Sequence, residues 1–242
     1  MSEEIAVVTG AASGVGAASA RRLARGGAAV VVVDVDDDGG KRVADEVGGR
    51  FVHLDVGDPT AWSTFADDVA REGRLALAHL NAGILTASED VPFLDTPVER
   101  SLALLRVNLD GVIFGVRALA PVMIDQDGGA IAVTASLAGL IPYAGDPVYT
   151  ATKHGVVGFV RSVTGELRRA GVRLTAVCPG GIDTPMVAGE RKARMDEHGA
   201  RFLSPDDVAA AVEALLRSGD AGTIQYLEGG QSPRTIEPTL RP

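Results

Sequence analysis

Residues 5–24, IAVVTGAASGVGAASARRLA, join a β-branched run, a glycine-rich turn and an alanine-rich segment of helical periodicity. A strand that enters a helix in this way opens a βαβ unit. The glycines fall at Gly10, Gly14 and Gly16. They allow a tight turn and let an anion approach the helix N-terminus, where free N–H groups and the macrodipole favour negative charge. A plain strand-to-helix turn in any α/β protein would use the same residues. Asp34 separates the two readings, because it ends the next apolar run eighteen residues after Gly16. A dinucleotide-binding fold puts there the acid that hydrogen-bonds the adenosine ribose. A 2′-phosphate would set about two negative charges against this carboxylate. Asp36, Asp37 and Asp38 follow closely and no lysine or arginine adjoins Asp34, so NAD is expected rather than NADP. Asp37 and Asp38 themselves read as an acidic helix start.

Seven strand-like runs recur along the chain: IAVVT, AAVVVVD, RFVHLD, LALAHLN, AIAVTAS, VRLTAVC and TIQYLE. Between them lie helical periodicities, among them 14–25, 58–71, 97–124, 147–170 and 205–216. Strands that are apolar almost throughout, without strict alternation, are expected when helices cover both faces of a parallel sheet. The expected fold is therefore α/β, a Rossmann-type doubly wound seven-stranded parallel sheet with helices on both faces. A single domain over 1–242 is expected, with an irregular charged segment at about 186–203 as a substrate loop and a tail at 229–242.

A net charge of −9 argues against nucleic acid or an anionic membrane surface as partner, since both call for clustered positive charge. The acidic start MSEEIAVVTG lacks the basic region of a signal peptide, and no apolar run is expected to span a membrane. A cytoplasmic protein is expected. The single cysteine, Cys178, excludes an intrachain disulfide and reads as buried core, and the four histidines show no metal-ligand spacing.

Near the middle of the chain, YTATKHG at 149–155 places Tyr149 and Lys153 one helical turn apart, so both lie on one helix face. Either they are a surface pair, or the ammonium changes the acidity of the phenol. A free phenol has a pKa of about 10 and is a poor base at neutral pH. One positive charge at ~4 Å, with an effective dielectric of ~20, is worth roughly 4 kcal/mol, about three pKa units. His154 points about 100° away from Lys153 and reads as peripheral. Gly155 and Gly158 weaken this helix by up to ~1 kcal/mol each, which suggests close packing against another element of the chain or of a second subunit.

With TGAASGVG, LDV at 54–56, NAG at 81–83, VNLDGV at 107–112, Ser136, YTATK and PGGIDTP at 179–185 in order, the chain resembles the short-chain dehydrogenase/reductase family from about Ile5 to Gly230. Thirteen residues separate Ser136 from Tyr149. His79-Leu80 stand before Asn81 where relatives often have a second asparagine, and Ala135 replaces a frequent serine.

The resemblance implies hydride transfer between NAD(H) and a secondary alcohol or ketone, with Asn108, Ser136, Tyr149 and Lys153 as catalytic residues. Tyr149 would act as general acid/base, Ser136 would hold the substrate oxygen, and the Asn108 amide would bind a water linking Lys153 to solvent. An asparagine satisfying a buried backbone group is the other reading of Asn108. Cofactor contacts are implied for Gly10, Ser13, Gly14, Val15, Gly16, Asp34, Asp55, Val56, Asn81, Ala82, Gly83, Tyr149, Lys153, Pro179, Gly180, Ile182 and Thr184. Asp55 and Val56 would border the adenine, and Ile182 and Thr184 the carboxamide. A substrate wall of Ser136, Leu137, Tyr143, Gly181 and Met186, with Ala138, Ile141 and Phe202 nearby, suggests an apolar or weakly polar substrate. Arg191, Lys192, Arg194 and Arg201 read as a solvated face or as carboxylate recognition. A homo-oligomer, tetramer or dimer, is implied as well. An NADPH-dependent 3-oxoacyl reductase and a non-catalytic NAD(H) sensor are the competing readings.

Overall fold

Successive residues of a strand point to opposite faces of its sheet, and here both faces are covered. Ile5 and Val7 join one apolar core, and Ala6 and Val8 join the other. This two-sided burial is why the strands read as continuous apolar runs. The computed structural model describes residues 4–86, 92–184 and 201–236. Its strands are β1 (Glu4–Thr9), β2 (Ala29–Asp34), β3 (Arg50–His53), β4 (Arg74–Leu80), β5 (Gly129–Thr134), β6 (Val172–Pro179), β7 (Ile224–Leu227) and β8 (Arg234–Thr235).

They form one sheet in the order β3-β2-β1-β4-β5-β6-β7-β8. All neighbours are parallel except β7 and β8. The expected count of seven is corrected to eight among the described residues: β8 comes from the segment read as a tail and pairs Thr235 with Gln225. Two residues without apolar periodicity give no strand signal of their own.

The helices are α1 (Gly14–Arg25), α2 (Asp37–Val47), α3 (Pro59–Glu72), α4 (Val98–Leu105), α5 (Gly111–Asp125), α6 (Pro147–Arg169) and α7 (Pro205–Ser218). Helices α3, α5 and α6 pack on one face through Trp62, Val116 and Val156 among others. Helices α1, α2 and α7 cover the other through Leu23, Val43 and Leu215. Helix α2 begins at the acidic start read at Asp37 and Asp38, although Gly39 and Gly40 break its apolar pattern and periodicity does not mark the rest of it. Both glycines are required by contact: a Cβ on Gly40 would lie 2.2 Å from the Phe51 ring. Asp36 caps this helix by accepting from the Gly39 N–H, and Asp37 and Asp38 occupy its first turn, the acidic start expected.

The predicted helix 97–124 is α4 and α5 joined through a π-helical turn, Arg106–Asp110. Val98–Asp125 has the length and hydropathy of a membrane span, contrary to expectation. Val112, Val116, Leu119 and Met123 on it are buried against the sheet, as in the core helix of a globular domain.

The chain runs outward from β1 to β3 on one side, then returns to β4 beside β1 and proceeds to β7. Strand order therefore reverses between β1 and β4, and in open α/β sheets ligands bind beyond the strand ends at such a point.

Candidate active site

Gly10 follows β1 with φ +62°, and Gly14 opens α1 with φ +52°, a left-handed region that disfavours side chains. A Cβ on Gly10 would lie 2.8 Å from the Ala82 Cα, so the turn lies directly on the loop after β4. Gly16 serves differently from the expectation: its Cβ would stand 2.1 Å from the Gly10 carbonyl oxygen, and it does not line the cleft. It lets α1 sit under the turn.

Helices α2, α3, α6 and α7 are capped by Asp36, Asp58, Asp146 and Ser204. The Ser13 side chain makes no such bond, and α1 has no acid in its first turn. A helix leaves its first N–H groups without intrahelical partners, so uncapped donors face the cleft at α1, as a pyrophosphate would require.

Asp34 ends β2 with its carboxylate held in place. Oδ2 accepts from the Ala12 N–H at 2.8 Å, and Oδ1 accepts from Val35 and Asp36 at 2.8 and 3.0 Å. A carboxylate has about four acceptor sites, so room remains for a ribose hydroxyl. No lysine or arginine adjoins Asp34 in sequence, but the fold brings Arg42 of α2 to the Ala12 carbonyl at 3.3 Å, where it also binds Glu46. Asp55 accepts from the Gly57 N–H and pairs with Arg106 at 2.9 Å. Arg106 crosses Gly57, donating to its carbonyl. Val56 is held by its carbonyl, which accepts from the buried Trp62 indole N–H.

Across the switch point, Asn81 Nδ2 donates to the carbonyls of Thr9 and Gly10. Its Oδ1 accepts from the Thr134 hydroxyl at 3.1 Å. Thr134 thus reaches the glycine turn through its side chain, while its carbonyl accepts from Lys153 Nζ at 2.8 Å. Lys153 is 3% exposed. Burial lowers its pKa to about 8, with the neighbouring Cys178 pulling the other way. At neutral pH the ammonium is still charged. Its Nζ lies 5.6 Å from the centre of the Tyr149 ring.

Asp146 fixes the start of α6. Its Oδ1 accepts from the Tyr149 N–H, and its Oδ2 accepts from Thr86 at 2.8 Å, joining α6 to the loop after β4. Ser136 Oγ accepts from the Ala138 N–H at 3.1 Å, which leaves its proton available to a ligand. Cys178 is buried and takes the Ser136 backbone N–H, and burial pushes its thiol up to about 11.

Asn108 lies in the π turn, fully buried. It clamps Ile84, accepting from the N–H at 2.7 Å and donating to the carbonyl at 2.8 Å, with its other N–H toward Thr152. Both amide N–H groups are therefore engaged, and a water at this amide would have only the second Oδ1 lone pair. The alternative reading, a buried asparagine satisfying a backbone group, describes what it does here.

One cleft of about 340 Å³ runs from Asp34 and Asp55 to Ser136, Tyr149 and Lys153. Gly10, Ser13, Gly14, Val15, Val56, Asn81, Ala82, Gly83, Pro179, Gly180, Ile182 and Thr184 line it. Val35, Leu54, Ile84, Leu85, Val107, Thr134 and Ala135 line it too, beyond the cofactor contacts that the resemblance implies. Ile84 and Leu85 follow the NAG motif directly, and Val107 opens VNLDGV, so motif adjacency was the available signal. Leu137, Tyr143 and Gly181 are not among its walls. The Tyr143 backbone N–H donates to the Thr150 hydroxyl, which donates back to the Tyr143 carbonyl, and the Tyr143 ring lies beside Gly145. Met186, Arg191, Lys192 and Arg194 lie outside the described residues. His154 is exposed and meets the Thr150 carbonyl, a peripheral position as read.

This combination of fold and cleft defines a dinucleotide-dependent class, and comparison with known proteins agrees. A family model described as short chain dehydrogenase matches residues 4–195. The chain is 34% identical to cyclohexanol dehydrogenase of Acinetobacter sp. (strain SE19), over 94% of each chain. It is 38% identical to 3-alpha-(or 20-beta)-hydroxysteroid dehydrogenase of Mycobacterium tuberculosis (strain ATCC 25618 / H37Rv), covering 76% of this chain and 70% of that protein. The solved structure of levodione reductase superposes with a TM-score of 0.84 at 29% identity, over 94% of this chain and 96% of that one. The chain belongs to the short-chain dehydrogenase/reductase family and is an oxidoreductase of that family.

Proposed function

We propose that this protein is an NAD-dependent dehydrogenase that interconverts a small secondary alcohol and its ketone. The observation that carries the reading is one continuous cleft with Asp34 at one end and Ser136, Tyr149 and Lys153 at the other. The residues fit the cofactor: uncapped α1 donors for the pyrophosphate, Asp34 for the ribose, and Ile182 and Thr184 at the nicotinamide end. When bound, the nicotinamide ring supplies the hydride donor or acceptor.

In alcohol oxidation Tyr149 Oη takes the hydroxyl proton, and in ketone reduction it returns one. Ser136 Oγ donates to the substrate oxygen and orients it. The Lys153 ammonium favours the phenolate: at 5.6 Å from the ring centre and an effective dielectric of ~20, a unit charge is worth about 3 kcal/mol. Asn108 acts through Ile84, holding the cleft wall opposite. The apolar walls Ile84, Leu85 and Val107, together with the alcohols named for the relatives, favour an alicyclic or otherwise weakly polar substrate. Screening such alcohols and ketones while following NADH absorbance tests this. No turnover with any of them, from a protein that binds NADH, would favour the sensor.

Arg42 favours the NADPH-dependent 3-oxoacyl reductase, and the Asp34 carboxylate, which lines the cleft at the end of β2, opposes it. We therefore expect NADH to bind at least tenfold more tightly than NADPH, corresponding to ~1.4 kcal/mol of repulsion. Asp34→Ala should narrow the difference. Fluorescence titration of both cofactors measures it, and equal or reversed affinities would defeat the choice of NAD.

A homo-oligomer, tetramer or dimer, is part of the proposal. Val98, Leu102 and Leu105 form an apolar stripe on α4 with exposures of 65, 58 and 36%. Gly155 packs against Leu109 within the chain, whereas Gly158 faces open space. Light scattering at micromolar concentration should find a multiple of the chain mass, and a monomer would refute it.

A further inference from the structure

His79 lies on β4, fully buried, and the chemistry above does not use it. Its Nε2 is 2.8 Å from the Thr134 hydroxyl, and its Nδ1 is buried with no partner among the described residues. Counting protons fixes the direction of each bond. Asn81 donates both amide hydrogens to carbonyls, so its Oδ1 must accept. The only hydrogen available to it from Thr134 is the hydroxyl proton. That hydroxyl has one proton, already given to Asn81. The contact with His79 therefore requires Nε2–H as donor, and the bare nitrogen is Nδ1. Burial supports the same neutral state, holding the His79 pKa down to about 3.

We propose that His79 is a positioning residue of the cofactor cleft: as the Nε2–H tautomer it holds the Thr134 hydroxyl so that Thr134 donates to Asn81 and keeps Asn81 on the glycine turn. A threonine side chain has three staggered wells, and its partners choose among them. Without His79 the Thr134 oxygen loses its one buried donor, and its proton is no longer aimed at Asn81 alone. The effect reaches the cofactor because Asn81 holds the carbonyls of Thr9 and Gly10 at the base of the pyrophosphate turn. The same threonine carries Lys153 on its carbonyl, so His79 braces the point where the two ends of the cleft meet. The proposal rests on reading the cleft as the cofactor site.

Two measurements test it. In protein labelled with ¹⁵N-histidine, the two-bond ¹⁵N–¹H spectrum at neutral pH should show His79 protonated at Nε2 only, its signals identified by their loss in His79→Gln. A proton on Nδ1, or a charged ring, would overturn the proposal whatever the cofactor does.

Fluorescence titration with NADH then compares the parent, His79→Leu, His79→Gln and Thr134→Val. His79→Leu should weaken binding by ~3- to 10-fold, the scale of one buried hydrogen bond. His79→Gln keeps an N–H donor on a side chain of similar reach and should restore most of the loss. Adding His79→Leu to Thr134→Val should cost nothing further, because both remove the same link. Equal weakening by Leu and Gln, or additive losses in the double variant, would reduce His79 to core packing. Should His79→Leu not fold, the glutamine variant in the parent and Thr134→Val backgrounds still decides: it should bind NADH within about threefold of its own background. A parent that binds no NADH would defeat the cofactor reading itself, whereas a parent that binds it as tightly as His79→Leu would defeat only the role of His79.

Discussion

Replacing Tyr149 with phenylalanine is expected to lower kcat/KM for alcohol oxidation by about 10²–10⁴-fold, the range that a positioned proton acceptor contributes. NADH binding should stay within about twofold, less than ~0.5 kcal/mol. The separation follows from how α6 is held. Its first turn is fixed by Asp146, which bonds the Tyr149 backbone N–H and Thr86, so phenylalanine leaves the cap in place. Steady-state kinetics with the alcohol that the screen identifies, together with NADH titration, would check both halves. Turnover near the parent rate would remove Tyr149 as the base, while a large loss of NADH affinity would mean that the hydroxyl mainly holds the cofactor.

Lys153→Met should lose activity by a similar factor yet make the cofactor-free protein more stable at pH 7. Burial lowers the Lys153 pKa from 10.5 to about 8, so the folded chain pays to keep this charge. A shift of that size corresponds to about 3 kcal/mol, from which the lost bond to the Thr134 carbonyl subtracts about 1 kcal/mol. A net gain of about 2 kcal/mol would raise Tm by roughly 4–8 °C for a chain of this size.

The sign with pH is also determined. Between pH 8 and 10.5 the unfolded chain retains this proton while the folded chain releases it, so the stability of the parent rises with pH relative to the variant. The variant's advantage should therefore be complete below pH 8 and disappear as pH approaches 10.5. Thermal unfolding of both proteins across that window tests it. A less stable Lys153→Met at pH 7 would mean that the ammonium is fully compensated where it lies. A charge kept at the expense of stability is what a group retained for chemistry would show.

The seven parallel strands, the bounds of α1 and the glycine turn were legible in the sequence because each depends on local physics. Side-chain period distinguishes strand from helix, and backbone torsion selects glycine at Gly10 and Gly14. Asp34 was legible from its place at the end of a strand, and Tyr149 and Lys153 from their spacing on one helix face, whereas Ser136 was reached through the family resemblance. Helix α2 was legible only at its acidic start, because the Phe51 ring that requires Gly40 in place of an apolar residue belongs to the following strand.

What only the tertiary structure decided lies between residues distant in sequence. Arg42 reaches the Ala12 carbonyl because α2 packs beside the glycine turn. The π turn directs Asn108 onto Ile84, 24 residues away. The pairing of His79 with Thr134, 55 residues apart, follows from the β4–β5 register, which sets His79 opposite Ala132 and Leu80 opposite Val133. A hydrogen bond between two strands exists only once their register is fixed, and register is set by the packing of the whole sheet between its two helical layers, not by the residues that make the bond.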